Sequence, residues 1–250
     1  MAASWSSSSN GVLGAAGLLD VDGRAAVDER RRPHVDKDVW RGLEAVRLLA
    51  FGGRPSPEAR ALNEEIKAAR NPDELLAIFD HADRALFDYF RVSMLWSRLG
   101  RASRRPLRPD SVHELIAHTI ETLPSSDEQG VANILHGAAK ARLRGRDAAA
   151  LYEAGEAAAR RVMREMAPQN LSNTAWAFAV ADARCDALFG GPQFVQACER
   201  HGKSLLGNRF GLRQLEEWRQ WRDACSADGR AWPTLPAPLL AACQQAGRKK

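Results

Sequence analysis

Apolar residues recur at helical spacing from residue 38 onward. Val39, Trp40, Leu43, Val46 and Leu49 follow the roughly 3.6-residue period that turns one face of a helix toward a core. Gly52, Gly53, Pro55 and Pro57 end that segment, and a second helix is expected over about 58–69. Asn71-Pro72-Asp73-Glu74 supplies an N-cap, a proline at the first helical position and acids in the first turn. Ser111-x-x-Glu114 and Ser125-x-x-Glu128 have capping-box spacing, each ahead of an apolar run. Gly190-Gly191-Pro192 stops one helix and starts the next. Runs of β-branched residues at period two are absent, so the expected class is all-α.

The predicted helices recur in pairs. Val92-Ser93-Met94, Val131-Ala132-Asn133 and Leu171-Ser172-Asn173 open corresponding second helices at a near-constant interval, and a weaker copy opens one interval further on, at Leu212. Gln129 and Gln169 precede the second and third copies at one offset. The first helices of the pairs are expected over 75–81, 112–123, 151–166 and 194–206. Such a period predicts an α-solenoid of three to four helix-pair repeats of about 40 residues, each burying its apolar face on its neighbours. Ahead of it, residues 1–37 carry serines at 6–9, glycines at 11, 14 and 17 and a mixed charge run, and are expected to be a disordered arm. That arm is Ser-rich like a targeting segment, yet bears Asp20, Asp22, Asp28 and Glu29, which transit peptides avoid. The repeat domain is placed at 38–222 and a C-terminal cap or extended tail at 223–250.

Composition narrows the class. Hydrophobic residues at 45% and charged residues at 27% are those of a chain that buries a core. Four cysteines without a CxxC pair exclude a disulfide framework and a zinc ribbon, and suit a reducing compartment. No apolar run approaches the roughly 18 residues of a membrane span. The net charge is +5, and its placement says more than its size. Residues 90–146 hold ten cations against five acids, a surplus equal to that of the whole chain. A focused field of this kind draws polyanions, although solvated arginines on loops produce the same count.

Gln169-Asn170-Leu171-Ser172-Asn173-Thr174-Ala175-Trp176-Ala177-Phe178-Ala179 resembles the signature helix of octotricopeptide-repeat proteins, and Gln129 to Leu135 a degenerate second copy. Residues 62–99 are similar to the entry repeat, and Leu212 to Trp221 with Trp232-Pro233-x-Leu235-Pro236 to the exit, of the broader group with a FAST-kinase-like helical region. The resemblance covers about residues 60–243. It implies a helical-repeat protein that binds single-stranded RNA in a mitochondrion or chloroplast and acts in transcript stabilisation, processing, splicing or translation. Members often end in a nuclease-like RAP domain; none is expected between the exit segment and Lys250, so the resemblance does not imply the catalytic role that domain would supply.

Stacked helix pairs present one helix of each pair along a concave face, where RNA can lie with bases splayed and phosphates against cations. Arg98, Arg101, Arg104, Arg105, Lys140, Arg142, Arg144 and Arg146 are the expected RNA contacts. Asn133 and Asn173 share one repeat position and are expected to satisfy backbone groups between repeats, with base reading as the alternative. Trp176 and Phe178 are expected in inter-repeat grooves, or one of them exposed as a stacking platform. Trp218 and Trp221 are expected on a closing helix, with Trp232-Pro233 folded back over it. His113-Glu114-x-x-x-His118 misses the HExxH zinc spacing by one residue, and the two rings point about 140° apart. No metal, cofactor or catalytic residue is assigned, and Cys185 and Cys198 are expected to be buried. The alternative function is a protein-interaction scaffold, for instance a subunit of an organellar ribonucleoprotein or ribosome.

Overall fold

The computed structural model describes residues 55–225 and 232–248, all within Pro55–Lys250, the second of the two units into which the chain divides. The arm at 1–37 and the helix expected from Val39 to Leu49 lie outside the described residues. The described residues are all-α, as the periodicity predicts, with twelve α-helices, two 3-10 turns and no strand. The helices are α1 (Pro57–Ala68), α2 (Pro72–His81), α3 (Tyr89–Ala102), α4 (Pro109–Thr122), α5 (Glu128–Lys140) and α6 (Arg146–Val162). They continue as α7 (Pro168–Ala181), the short α8 (Asp186–Phe189), α9 (Gln193–Arg200), α10 (Gly202–Leu206), α11 (Arg209–Cys225) and α12 (Ala237–Arg248).

Packing follows the chain. Helices α3, α5, α7, α11 and α12 contact one another in succession, and α2, α4, α6 and α8 do the same beside them. The two rows are joined through buried aromatic and aliphatic side chains. In the first half these are Phe79, Phe87, Leu95, Trp96 and Leu99, with the Trp96 indole Nε1 donating to Thr119 Oγ1 at 2.8 Å across α3 and α4. In the second half Tyr152, Phe178, Phe189, Phe194 and Trp218 form a chain of ring contacts with centroids 4.8–5.8 Å apart, the edge-on and tilted spacing that aromatic quadrupoles favour.

The closest approach is between α3 and α5. A Cβ on Gly100 would stand 2.7 Å from the carbonyl oxygen of Gly137, and one on Gly137 would stand 2.3 Å from that of Trp96. The two backbones touch because neither residue has a side chain.

Several capping signals sit where the sequence places them. Asn71 Oδ1 accepts from the Glu74 amide at 2.9 Å while Glu74 Oε2 accepts from the Arg70 amide at 2.7 Å, closing α2 at its start. The two serine boxes do not form. Pro109 takes the first helical position of α4, so Ser111 already lies inside the helix and its hydroxyl donates to Arg108 O. Ser125 is used in a 3-10 turn, and Asp127 caps α5, its Oδ1 accepting from the Gly130 amide at 2.6 Å. The helix expected over 194–206 breaks at His201-Gly202 into α9 and α10, glycine being a poor helix former.

At the C-terminal end, Trp232 lies 5.5 Å from the Trp221 ring and 6.2 Å from that of Phe189, and Arg222 Nη1 donates to Pro233 O at 3.1 Å. The Trp-Pro segment thus folds back on α11 as expected. Beyond it the tail is helical, and α12 packs along α11. No described helix is long and apolar enough to cross a membrane.

Candidate nucleic-acid interface

The connections after α1, α3, α5 and α7 lie at one end of the rows. The Leu107 amide donates to Ala141 O at 3.2 Å, which joins the α3–α4 and α5–α6 connections directly. Arg98 Nη2 donates to Lys67 O at 2.9 Å and to Ala69 O at 2.7 Å, tying α3 to the last turn of α1. Arg144 Nη2 donates to Val180 O at 3.2 Å, tying the α5–α6 connection to the last turn of α7. These carbonyls are among the four that every helix leaves without an internal donor, and a guanidinium satisfies them and suits the negative end of the helix dipole.

All eight expected cations are found at this end. Arg98, Arg101 and Lys140 stand toward the C-terminal ends of α3 and α5, Arg104 and Arg105 in the connection between α3 and α4, Arg142 and Arg144 between α5 and α6, and Arg146 at the start of α6. All but the half-buried Arg98 are exposed. Arg101 donates to Ser97 O at 3.3 Å and Ser97 Oγ at 3.1 Å. It lies close enough to Lys140 that its charge, after burial, holds the Lys140 ammonium below the usual lysine range. The cations therefore form a rim on the helix ends, with Arg101 and Lys140 brought together and Arg98 and Arg144 engaged on carbonyls.

The rim has a repeated backbone device. Arg142 and Asp182, which stand one repeat apart, both adopt left-handed backbone, with φ of 55° and 53°. In both places the next amide reaches back five positions, Leu143 N to Ala138 O at 3.1 Å and Ala183 N to Phe178 O at 3.0 Å, closing the same helix-terminating loop. Glycine usually holds that position, so an arginine and an aspartate there carry strain. Arg142→Gly is expected to raise stability by about 0.5–1 kcal/mol. A chemical denaturation midpoint should move up while one rim cation is lost.

A second set of groups covers the flank of α5, α7 and α11. Asn173 Oδ1 accepts from Gln169 Nε2 and from Gln214 Nε2, both at 2.9 Å, and Gln169 Oε1 accepts from Asn208 Nδ2 at 3.0 Å. The amide expected to serve backbone groups is instead bonded to side chains of its own and the neighbouring helix, which leaves no buried amide of this set unpaired. Gln214 Nε2 also lies 3.5 Å from His136 Nε2. The His136 ring lies 5.0 Å from that of Trp176, whose Nε1 donates to Glu217 Oε2 at 2.6 Å. Phe178 is fully buried while Trp176 is half-buried, so the two aromatics separate as their offset requires. His136, Trp176 and Glu217 stand at one repeat position on successive helices of the row, as do Asn133, Asn173 and Gln214. His136 and Gln214 escape a motif search because neither matches its repeat partner in residue type; the shared offset was the available signal.

Other chemistry is dispersed. His113 Nδ1 is 2.9 Å from Asp147 Oδ2, whereas His118 Nε2 is 2.7 Å from Phe87 O, so the two rings face different neighbours. No group of three or more His, Cys, Asp or Glu side chains gathers for a metal among the described residues. Cys185 and Cys198 are buried, and burial pushes both thiols up. An open cleft of about 640 Å³ between α6 and the α8–α9 segment is lined by Arg160, Arg161, Arg164, Met163, Leu188 and Gln193, among others. In its wall, Arg161 Nη2 donates to Leu123 O and Ser126 O.

No family model, curated protein or solved structure matches this chain.

Proposed function

We propose that this chain is an α-solenoid of three to four helix pairs that binds single-stranded RNA and acts in organellar RNA metabolism, in a mitochondrion or chloroplast, in the stabilisation, processing or translation of a transcript. The observation that carries the reading is the Leu107–Ala141 hydrogen bond, which makes one rim of the two cationic segments 98–108 and 140–146. Side chains at one repeat position on α5, α7 and α11 lie beside that rim, with a histidine and a tryptophan in ring contact. Phosphates on the rim and unstacked bases toward this flank suit a single strand, whose bases are free to splay. The organelle and the transcript role rest on the octotricopeptide-repeat resemblance.

The test is a salt titration of binding to a single-stranded RNA. With six to eight phosphates on the rim, the log–log slope is expected to be about −4 to −6. An affinity insensitive to salt overturns the reading. Protein–RNA crosslinking in cells identifies the transcript and the contacted side chains. A protein-interaction scaffold is the second reading, and Leu206 and Phe210, 43% and 59% exposed at the junction of α10 and α11, favour it. A stable protein complex that survives ribonuclease and forms without the rim cations would establish the scaffold instead.

A further inference from the structure

The open cleft of about 640 Å³ beside the end of α6 holds a second set of cations. Arg160 and Arg161 reach it from the last turn of α6, and Arg164 from the turn that follows. Arg160 and Arg164 stand four positions apart, the spacing of neighbours on one helix face. Arg146, the rim cation on the same helix, is about 21 Å from Arg160 at roughly 1.5 Å per residue. A site in this cleft is therefore separate from the rim and stands independently of the RNA-binding reading. We propose that the cleft binds a phosphate monoester, held by the guanidinium groups of Arg160, Arg161 and Arg164.

The state of these side chains carries the proposal. Glu165 is the one acid in the lining. Among the described residues neither its carboxylate nor the guanidinium of Arg160 or Arg164 makes a hydrogen bond or ion pair. Glu156, one turn back on α6, is already taken, its Oε1 accepting from the Leu188 amide at 2.9 Å. Arg161 is fixed in the wall through Nη2, bonded to Leu123 O and Ser126 O, while its Nε and Nη1 make no bond among the described residues. Arg200 Nη2 donates to Arg164 O at 3.1 Å, which pins the turn to α9 and brings a fourth positive charge close by. The carboxyl end of a helix dipole favours cations, yet its charge of about one half does not balance four of them.

Shape and donors select the ligand. Met163 and Leu188 are 3% and 1% exposed, so the apolar part of the lining reduces to the short side chains of Ala157 and Ala187 and offers little to a hydrophobic ligand. A guanidinium presents paired N–H groups that match two oxygens of a phosphate. Three such forks can serve the three terminal oxygens of a monoester, whose charge approaches −2 near neutral pH. A phosphodiester or a carboxylate offers two free oxygens and a single charge, and would leave cations unmatched. On the opposite wall Gln193, the first residue of α9, adds a side-chain amide that makes no bond among the described residues.

The experiment titrates the full chain near neutral pH and at fixed ionic strength with phenyl phosphate and with diethyl phosphate, by calorimetry and by the arginine Nε–H resonances. Phenyl phosphate is expected to bind at least roughly tenfold more tightly than the diester and to move the resonances of Arg160, Arg161 and Arg164. Arg160→Gln combined with Arg164→Gln, both at exposed positions, is expected to weaken phenyl phosphate at least roughly tenfold. Arg104→Gln combined with Arg105→Gln, in the rim, should leave that affinity unchanged. Equal affinity for the two esters, an unaltered affinity in the cleft variant, or no binding of phenyl phosphate overturns the proposal. A phosphoserine peptide separates the two sources of such a group. Tighter binding than phenyl phosphate assigns the cleft to a phosphorylated partner, and equal or weaker binding to a small phosphorylated molecule; both support the monoester site. Single-stranded RNA with hydroxyl groups at both ends reads the rim separately, and the cleft variant should bind it as the parent protein does.

Discussion

Gly137→Ala is expected to melt about 6–12 °C below the parent protein, a cost of about 3 kcal/mol for a domain of this size. The added methyl would stand 2.3 Å from the Trp96 carbonyl oxygen and 2.5 Å from its carbon. Both atoms belong to helix backbone and cannot swing aside as a side-chain tip would. Helix α3 must therefore be displaced from α5, and Trp96, fully buried with its indole bonded to Thr119, moves with it. Gly202→Ala is the matched control, because a Cβ there meets nothing within 4 Å. It should leave the melting temperature unchanged or slightly raised, alanine being the better helix former. Calorimetry of the two variants checks the contrast, and equal shifts would mean that α3 and α5 are not in backbone contact.

The second large effect is on RNA. Reversing Arg101, Arg104 and Arg105 together to glutamate is expected to weaken binding to single-stranded RNA at least roughly a hundredfold, since like charges facing phosphates cost several kcal/mol. The salt slope should become shallower by about 2, three phosphate contacts at about 0.7 each. Reversal of Arg160 and Arg164 is the control. Those two residues line the cleft toward the far end of α6, away from the rim, and their reversal also lowers the net charge. A similar loss from both sets would show that binding follows net charge rather than the rim.

Much of the secondary structure was legible because its causes are local. The Asn71 cap, the proline that begins α2, and the Gly190-Gly191-Pro192 stop act within a turn of themselves. The failures are also local in origin. Ser111 and Ser125 match a cap pattern, but a proline two positions earlier and an aspartate two positions later compete for the same helix ends, and each won. The left-handed turns at Arg142 and Asp182 gave no glycine to find. The cationic segments were visible as a run of charge, yet that Leu107 would bond Ala141 depends on tertiary packing between connections nearly a full repeat apart in the chain. Partners of the buried amides were out of reach for the same reason, since Asn173 meets Gln214 only once α7 and α11 are side by side.

The carbonyl bonds of Arg98 and Arg144 bear on how a ligand meets the rim. Long cationic side chains ordinarily lose about 2 kcal/mol of rotamer freedom when they are fixed. Arg98 is held by Lys67 O and Ala69 O through Nη2, and Arg144 by Leu143 O and Val180 O through Nη1 and Nη2. An arriving anion thus encounters donors whose stiffening was completed during folding, and the association loses less entropy than it would against freely swinging arginines. Truncating a helix C-terminus one or two turns away would loosen the grip without touching a single charge.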